Sequence, residues 1–356
     1  MKKIDFDAVD VIGAAGMGHD FGAITNPNNT FSQELDKLRF KQTTFTKWVI
    51  LLSMVILGGK EAIFKLPIKA NKKSQEAADY VREVAKQMVQ HKKEKQRLGE
   101  LTEKDVASVA LTSGLFTDEN LVDQMITMLV AGHETVAASV QWAVLALCKY
   151  PEIQSRLRGE IRGKQLGQVS PHTRRVTSVI AHLPATIPSE ESLDPQPPSS
   201  AQIDSLPYLN AFCNEVLRFS PPVRSTVRVA TKDTSLGGVP VPKGTQLLIV
   251  PGATNLNPDF WGPDAEVFNP ERWMREGQAS NGGANGNYAN LTFLYGPRGC
   301  IGQTFAKSEF ACMIAVIAGR FKIELQDPTK RVEVVTAISA SPKDGVMAKL
   351  TRLEGW

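Results

Sequence analysis

A chain of 356 residues, 42% of them hydrophobic, can bury a large core, and its length allows one big domain or two smaller ones. Its 41 basic and 37 acidic residues leave a net charge of +4, too small and too scattered for a phosphate-tracking surface, which excludes nucleic acid as a natural partner. The four cysteines, Cys148, Cys213, Cys300 and Cys312, lack metal-knuckle spacing, and Met1–Asp20 holds no apolar signal region, so they read as thiols of a reducing compartment.

Taken in chain order, Phe6–Phe21 predicts a helix broken at Gly16 and Gly18, and Asn26–Thr30 a polar turn. Trp48–Leu57 is an apolar run about half the length that crosses a bilayer, and it reads as a buried helix or as an element dipping into a membrane surface. Ser74–Arg97 predicts a long amphipathic helix, with Ala77, Val81, Val84, Ala85 and Met88 at helical spacing and a solvated charge run from His91 to Arg97.

Leu121–Tyr150 predicts a helix capped by Thr117, with Asp118 and Glu119 in its first turn, and apolar nearly all round like a helix through the centre of a large domain. Its middle is Ala131-Gly-His-Glu-Thr135. A buried carboxylate is costly unless paired or working, and Gly132 weakens the helix there. The run is therefore either a polar break satisfied by its neighbours or a local opening where Glu134 and Thr135 pass protons.

Pro151–Arg162 predicts a charged helix, after which pattern is lost. Residues 163–200 read as a disordered loop insertion, with no periodicity over 163–180 and a run rich in Pro and Ser over Ser189–Ser200. Gly163-Lys164 can be encoded by a splice-donor-like GGTAAG, and joining Arg162 to Ala181 restores a natural helix end, so 163–180 bears the marks of a translated intron.

Tyr208–Phe219 predicts a helix entered at Pro207 and stopped by Pro221 and Pro222, with Glu215 and Arg218 on one face. Alone, such a pair is usually a surface ion pair. Downstream, Phe268-Asn-Pro-Glu-Arg-Trp273 offers a second arginine, Arg272. Short strands are expected at Thr226–Ala230, Val239–Val241, Thr245–Val250, Lys322–Leu325, Val332–Thr336 and Val346–Leu353, with a Gly/Asn-rich insert over Gln278–Asn287 and a turn at Ala337–Ser341.

The run Phe293-Leu-Tyr-Gly-Pro-Arg-Gly-Cys-Ile-Gly302 stands just before an apolar helical pattern that extends to about Arg320. At a helix entrance the free N–H groups and the positive end of the dipole favour an anion, so Cys300 is placed to be a thiolate and a soft metal ligand. Gly296, Gly299 and Gly302 leave room for a flat, bulky group, and Arg298 suits a carboxylate on it. The bland alternative is a buried cysteine in a glycine-rich turn.

Together these motifs resemble a known family. F-x-x-G-x-R-x-C-x-G over Phe293–Gly302 resembles the haem-binding loop of the cytochromes P450, and Ala131–Thr135 resembles their oxygen-activation segment A-G-x-[DE]-T. Glu215–Arg218 with Pro270–Trp273 resembles their E-x-x-R helix and P-E-R-[FW] loop, and the order along the whole chain is that of the family.

The resemblance implies a mainly α (α+β) cytochrome P450 fold, with a long central helix and small β-sheets, as one partial domain over 1–356. It implies haem b with Cys300 as axial thiolate, whose electron push favours O–O cleavage. Arg228 and Arg298 would hold the haem propionates, with Phe293, Gly302 and Ala131 against the haem. Glu134 and Thr135 would relay protons, and Glu215, Arg218 and Arg272 would form a buried network that holds the cysteine loop. Met128, Ala131, Val223 and Ile338 would present apolar atoms to the substrate.

The implied function is a haem-thiolate monooxygenase that activates O2 and hydroxylates or otherwise oxidises an apolar small molecule, such as a lipid or secondary metabolite, with electrons from NADPH–cytochrome P450 reductase. Complete members sit on the cytosolic face of the endoplasmic reticulum membrane, and this chain carries no transmembrane anchor. The family's N-terminal part, with the first strands of the main sheet and a helix that grips the haem, has no counterpart ahead of Met1. The alternative is thus a non-catalytic truncated fragment unable to hold haem stably.

Overall fold

The computed structural model describes residues 8–26, 28–38, 69–163, 199–286, 288–336 and 338–354. These form two compact units, one from the described residues within Met1–Ala137 and Val332–Ile338, the other from those within Ala138–Ser170, Leu193–Arg331 and Ser339–Trp356. The apolar run Trp48–Leu57, residues 164–198, Asn287 and Ala337 lie outside the described residues.

The first unit is helical: α1 (Ala8–Met17), α2 (Thr30–Lys37), α3 (Lys69–Arg97), α4 (Val106–Thr112) and the N-terminal half of α5 (Asp118–Lys149). Helix α1 runs through Gly16 and ends at Gly18, whose φ of +63° lets the N–H groups of Gly18 and His19 turn back to the carbonyls of Ala14 and Gly13. Asp10 then fastens the following chain by accepting the N–H groups of Ala23 and Ile24 at 3.0 and 2.9 Å.

Helix α3 buries Ala77, Val81, Ala85 and Met88, at the spacing the sequence shows, and the last three cluster with Leu121, Met125 and Leu129 of α5 and Phe31 and Leu35 of α2. Asp105 caps α4 by accepting the Ser108 N–H at 2.9 Å and also receives the buried Lys92 ammonium at 2.7 Å. Burial pushes the Asp105 carboxyl up, but the bonds from Lys92 and Ser108 outweigh it and hold the group below its ordinary range.

The second unit takes the rest of α5 with α6 (Pro151–Gly163), α7 (Ser200–Asp204), α8 (Pro207–Phe219) and α9 (Gln303–Arg320). Its sheets are small antiparallel pairs: β1 (Thr226–Val229) with β4 (Gln246–Ile249), β2 (Thr234–Leu236) with β3 (Val239–Val241), and β5 (Phe321–Leu325) with β6 (Ala348–Arg352). The whole is mainly α with minor β, as the sequence implies.

Helix α6 joins the second unit through side chains that seek backbone. Gln154 donates to the carbonyls of Leu147 and Ile323 and accepts the Ile323 N–H, all near 3 Å. Arg158 and Arg162 donate to the carbonyls of Ala318 and Gly319, where α9 leaves its last acceptors open.

Several helices were not expected, among them α2, α4, α7, Pro251–Thr254 and Pro258–Trp261. Helix α2 begins at Thr30, inside the expected turn, because Asn29 Oδ1 accepts the Ser32 N–H at 3.0 Å. Asp105 starts α4, and α7 starts with a capping box between Ser199 and Gln202, within the stretch read as loop. Ala340–Pro342, expected within a turn, is a short strand. Among the described residues no helix is long and apolar enough to cross a membrane.

Candidate functional site

The strongest polar construction in the second unit is built around Glu215 on α8. Pro207 at the first position of α8 gives up an N–H that would have no partner there, and Glu160 of α6 accepts the N–H groups of Tyr208 and Leu209 at 2.9 and 2.8 Å. With the helix start fixed, Glu215 and Arg218 fall on one buried face at i and i+3. Arg218 donates through Nε and Nη2 to both Glu215 oxygens at 2.8 Å, through Nη1 to the carbonyls of Asn255 and Ala265, and through Nη2 also to that of Val267.

Glu215 also accepts the N–H of Asn269 (2.8 Å), Arg272 Nε (3.2 Å) and Trp273 Nε1 (3.0 Å), while Arg272 reaches Asp264 Oδ2 at 3.1 Å. Glu215 and Arg218 are fully buried and Arg272 is 1% exposed, so each charge has traded water for several protein partners. Sequence reading grouped the three charged residues but missed Asp264, the fourth charge.

It also missed the link from this network to the cysteine loop. Asn255, fully buried, lends its carbonyl to Arg218 Nη1, its Oδ1 to the Leu291 N–H at 2.8 Å, and its Nδ2 to Thr292 Oγ1 at 2.8 Å. Thr292 in turn donates to the Leu217 carbonyl at 2.8 Å. The loop that starts at Phe293 is thus hung from α8 by an asparagine and a threonine.

Within the loop, Leu294 is the one non-glycine residue with positive φ among the described residues, at 58°. That conformation costs a branched side chain roughly 1–2 kcal/mol, so the surrounding structure must impose it. Gly296 follows with φ +73°, and the Cys300 N–H closes the turn onto the Phe293 carbonyl at 2.8 Å. Gly302 precedes α9 with no side-chain cap, which leaves its first-turn N–H groups for an anion.

Cys300 is exposed, unlike the other cysteines. Burial pushes the Cys148 thiol up to about 12 and that of Cys312 up to about 11, and raises Cys213 as well, so these three are held as thiols. Next to Cys300, Ile301 is 95% exposed, an apolar side chain with nothing over it. Cys300 also lies on the wall of a cavity of about 720 Å³, with Asn214, Tyr295, Gln303 and Lys307 on other walls.

An accessible sulfur beside an uncovered apolar side chain, on a glycine-rich turn, fits a flat apolar group carrying a thiophilic metal, which is the chemistry of haem. Arg298 is exposed near this sulfur. Arg228 folds back along its own strand, donating to Thr226 Oγ1 at 3.1 Å and to the Val227 carbonyl at 3.0 Å. Val223 is half-buried on the segment before β1.

In the first unit, α5 is unbroken through Ala131–Thr135. Met128, Ala131 and Thr135, at i, i+3 and i+7, form its more open stripe, and Glu134 is 6% exposed. The Thr135 hydroxyl donates to the Ala131 carbonyl at 2.8 Å. Gly132 serves close packing rather than an opening of the helix, since a Cβ there would stand 2.8 Å from Cγ1 of Ile12 on α1. Ile338 is half exposed.

Comparison with known proteins agrees with this geometry. The cytochrome P450 family model matches residues 4–347. The chain is 46% identical over 98% of its length to cytochrome P450 monooxygenase sphH of Aspergillus fumigatus, of which it covers 60%. It is 36% identical, with the same two coverages, to cytochrome P450 monooxygenase FSL4 of Gibberella zeae. With ALT8 of Alternaria alternata, also a cytochrome P450 monooxygenase, it shares 34% identity over 98% of its own length and 61% of the relative's. The chain spans about 60% of the length of these relatives. On motif order, fold and match alike, the chain belongs to the cytochrome P450 family.

Proposed function

We propose that this chain carries the machinery of a haem-thiolate monooxygenase that oxidises a largely apolar small molecule, a lipid or secondary metabolite, as one partial cytochrome P450 domain. The observation that carries the reading is the exposed Cys300 thiol in a loop suspended, through Asn255 and Thr292, from the buried Glu215–Arg218–Arg272 network. When bound at that sulfur, haem supplies the activation of O2 with two electrons from a reductase.

The chain's own residues do the rest. Cys300 would hold the metal through its sulfur, beside the uncapped start of α9. On the family resemblance Arg298 and Arg228 would pair with the propionates, and Phe293, Gly302 and Ala131 would contact the haem. Glu134 would be the acidic member of the proton relay that the family resemblance implies. Thr135, whose hydroxyl donates to the Ala131 carbonyl, would be the second member of that relay. Met128, Val223 and Ile338 offer apolar contacts to the substrate.

The electron donor in this reading is NADPH–cytochrome P450 reductase at the cytosolic face of the endoplasmic reticulum, a partner and a place that rest on the family resemblance alone. A second reading, in which the chain cannot retain haem, is favoured by the uncovered apolar side chains Ile301, Val227, Val229 and Leu248. A reduced, CO-bound difference spectrum of the chain supplied with hemin decides between the two. A Soret band at the thiolate position supports the monooxygenase, and failure to take up haem supports the second reading.

A further inference from the structure

Three ionisable side chains of the second unit are buried or half-buried with no hydrogen-bond or ion-pair partner among the described residues: Glu309, Lys307 and Arg224. Both Glu309 oxygens and the Arg224 Nε are sealed from solvent without partners. Burial pushes Glu309 up to about 8 and lowers Lys307, so each can shed its charge by keeping or losing a proton. A guanidinium has no such escape, because it stays protonated at any ordinary pH. Arg224, half-buried with its Nε sealed and unpartnered, is therefore a permanent cation suited to an anion.

Arg224 is also held in place. Its Cζ lies 5.7 Å over the Trp142 ring, and its carbonyl accepts the Gly252 N–H at 3.2 Å. A Cβ on Gly252 would stand 3.4 Å from Cβ and Cγ of Arg224, so the aliphatic stem is fitted against that turn. Trp142 Nε1 donates to the Ala340 carbonyl at 2.8 Å, and the Ala340 N–H donates to the Pro222 carbonyl at 2.7 Å. The ring under the guanidinium and the segment that carries it therefore belong to one hydrogen-bonded frame.

We propose that Arg224 is an anion-binding residue that takes the carboxylate of a bound small molecule, and that the substrate is an amphiphile with a carboxylate head rather than a wholly apolar compound. The planar fork of a guanidinium matches a carboxylate in two parallel bonds. The substrate half of this inference rests on the monooxygenase reading above, whereas the carboxylate site does not.

The test is calorimetric titration of the 356-residue chain, with and without hemin, using dodecanoate and 1-dodecanol as probes. Dodecanoate should bind more tightly than the alcohol. Arg224→Gln should weaken dodecanoate about 10- to 100-fold, the worth of one or two charge-assisted hydrogen bonds, while leaving the alcohol unchanged. Arg224→Lys, which keeps the charge and not the fork, should fall between. Equal affinity for the two probes in the wild type, or no change in Arg224→Gln, would overturn the site. Loss of hemin affinity in place of dodecanoate affinity would assign the arginine to a haem propionate and overturn the substrate half. Absence of a thiolate-type spectrum sinks the monooxygenase reading, and the titration without hemin still decides the carboxylate site.

Discussion

Two polar regions of the second unit, built on adjoining stretches of chain, are finished to different degrees. Around Glu215 the charges of Arg218 and Arg272 are matched, the backbone donors and acceptors nearby are used, and water is excluded. Around Cys300 the sulfur is accessible, Ile301 has no cover, and Arg298 faces solvent. The first region is complete by protein contacts alone, and the second presents an accessible thiol beside an uncovered apolar side chain. Rigidity in one and openness in the other are what a loop needs if it is to present a ligand atom in fixed geometry.

This contrast can be broken most violently at Glu215. Glu215→Ala strands two buried guanidinium groups and should cost about 3–5 kcal/mol of stability in denaturant titration. A loss below about 1 kcal/mol, the size of an exposed pair, would show that the network is not sealed as described.

Glu309 is an exception inside the packed region, a buried carboxyl with no partner on α9. Its folded-state pKa, raised by burial to about 8, lies above its ordinary value, so the folded state keeps a proton that the unfolded state has already released. Stability from this group is therefore undiminished at acid pH, declines as pH rises from the ordinary carboxyl range to about 8, and is level beyond. Glu309→Gln should remove that decline, gaining roughly 3 kcal/mol on the wild type between pH 5 and pH 8 in melts across the range. Parallel pH profiles for the two proteins would contradict the account.

Asn255 joins the two regions. Asn255→Ala leaves the Leu291 N–H without its acceptor and removes the donor to Thr292 Oγ1, so about 1–3 kcal/mol should be lost together with some affinity for hemin. The smallest effect is expected in the first unit. Thr135→Val keeps the side-chain volume and removes a half-buried hydroxyl that donates to the Ala131 carbonyl one turn back in its helix, so thermal stability should move by less than about 1 kcal/mol. In the loaded enzyme the same change should raise the electrons consumed per product formed.

Much of this was legible because certain residues announce themselves by spacing. Glu215 and Arg218 one helical turn apart, Pro207 ahead of them, and Arg272 in its own motif are all local signals, and the structure brings these residues together. Asp264, Asn255, Thr292 and Glu160 were not legible, because each acts on backbone or a charge brought near only by tertiary placement. Gly132 was misread for the same reason. The side chain that demands it, Ile12, is far away in sequence, and nothing near Gly132 reports its approach.

The caps at Asn29, Asp105 and Ser199 were readable in principle as Asx and Ser caps, the last with Gln202 three residues on. Composition bias around each hid the signal. The apolar character of α5 was plain, but which of its faces is open required the structure, because a helix apolar nearly all round has no sequence-level front.

The account stands on one sulfur. It is tested most directly by reduced CO difference spectra of two hemin-loaded variants, Cys300→Ala and the combined Cys148→Ala, Cys213→Ala, Cys312→Ala. The thiolate-type band should vanish from the first and persist in the second. A band that survives in Cys300→Ala, or that disappears when only the three other thiols are removed, would contradict the claim that the exposed cysteine holds the iron.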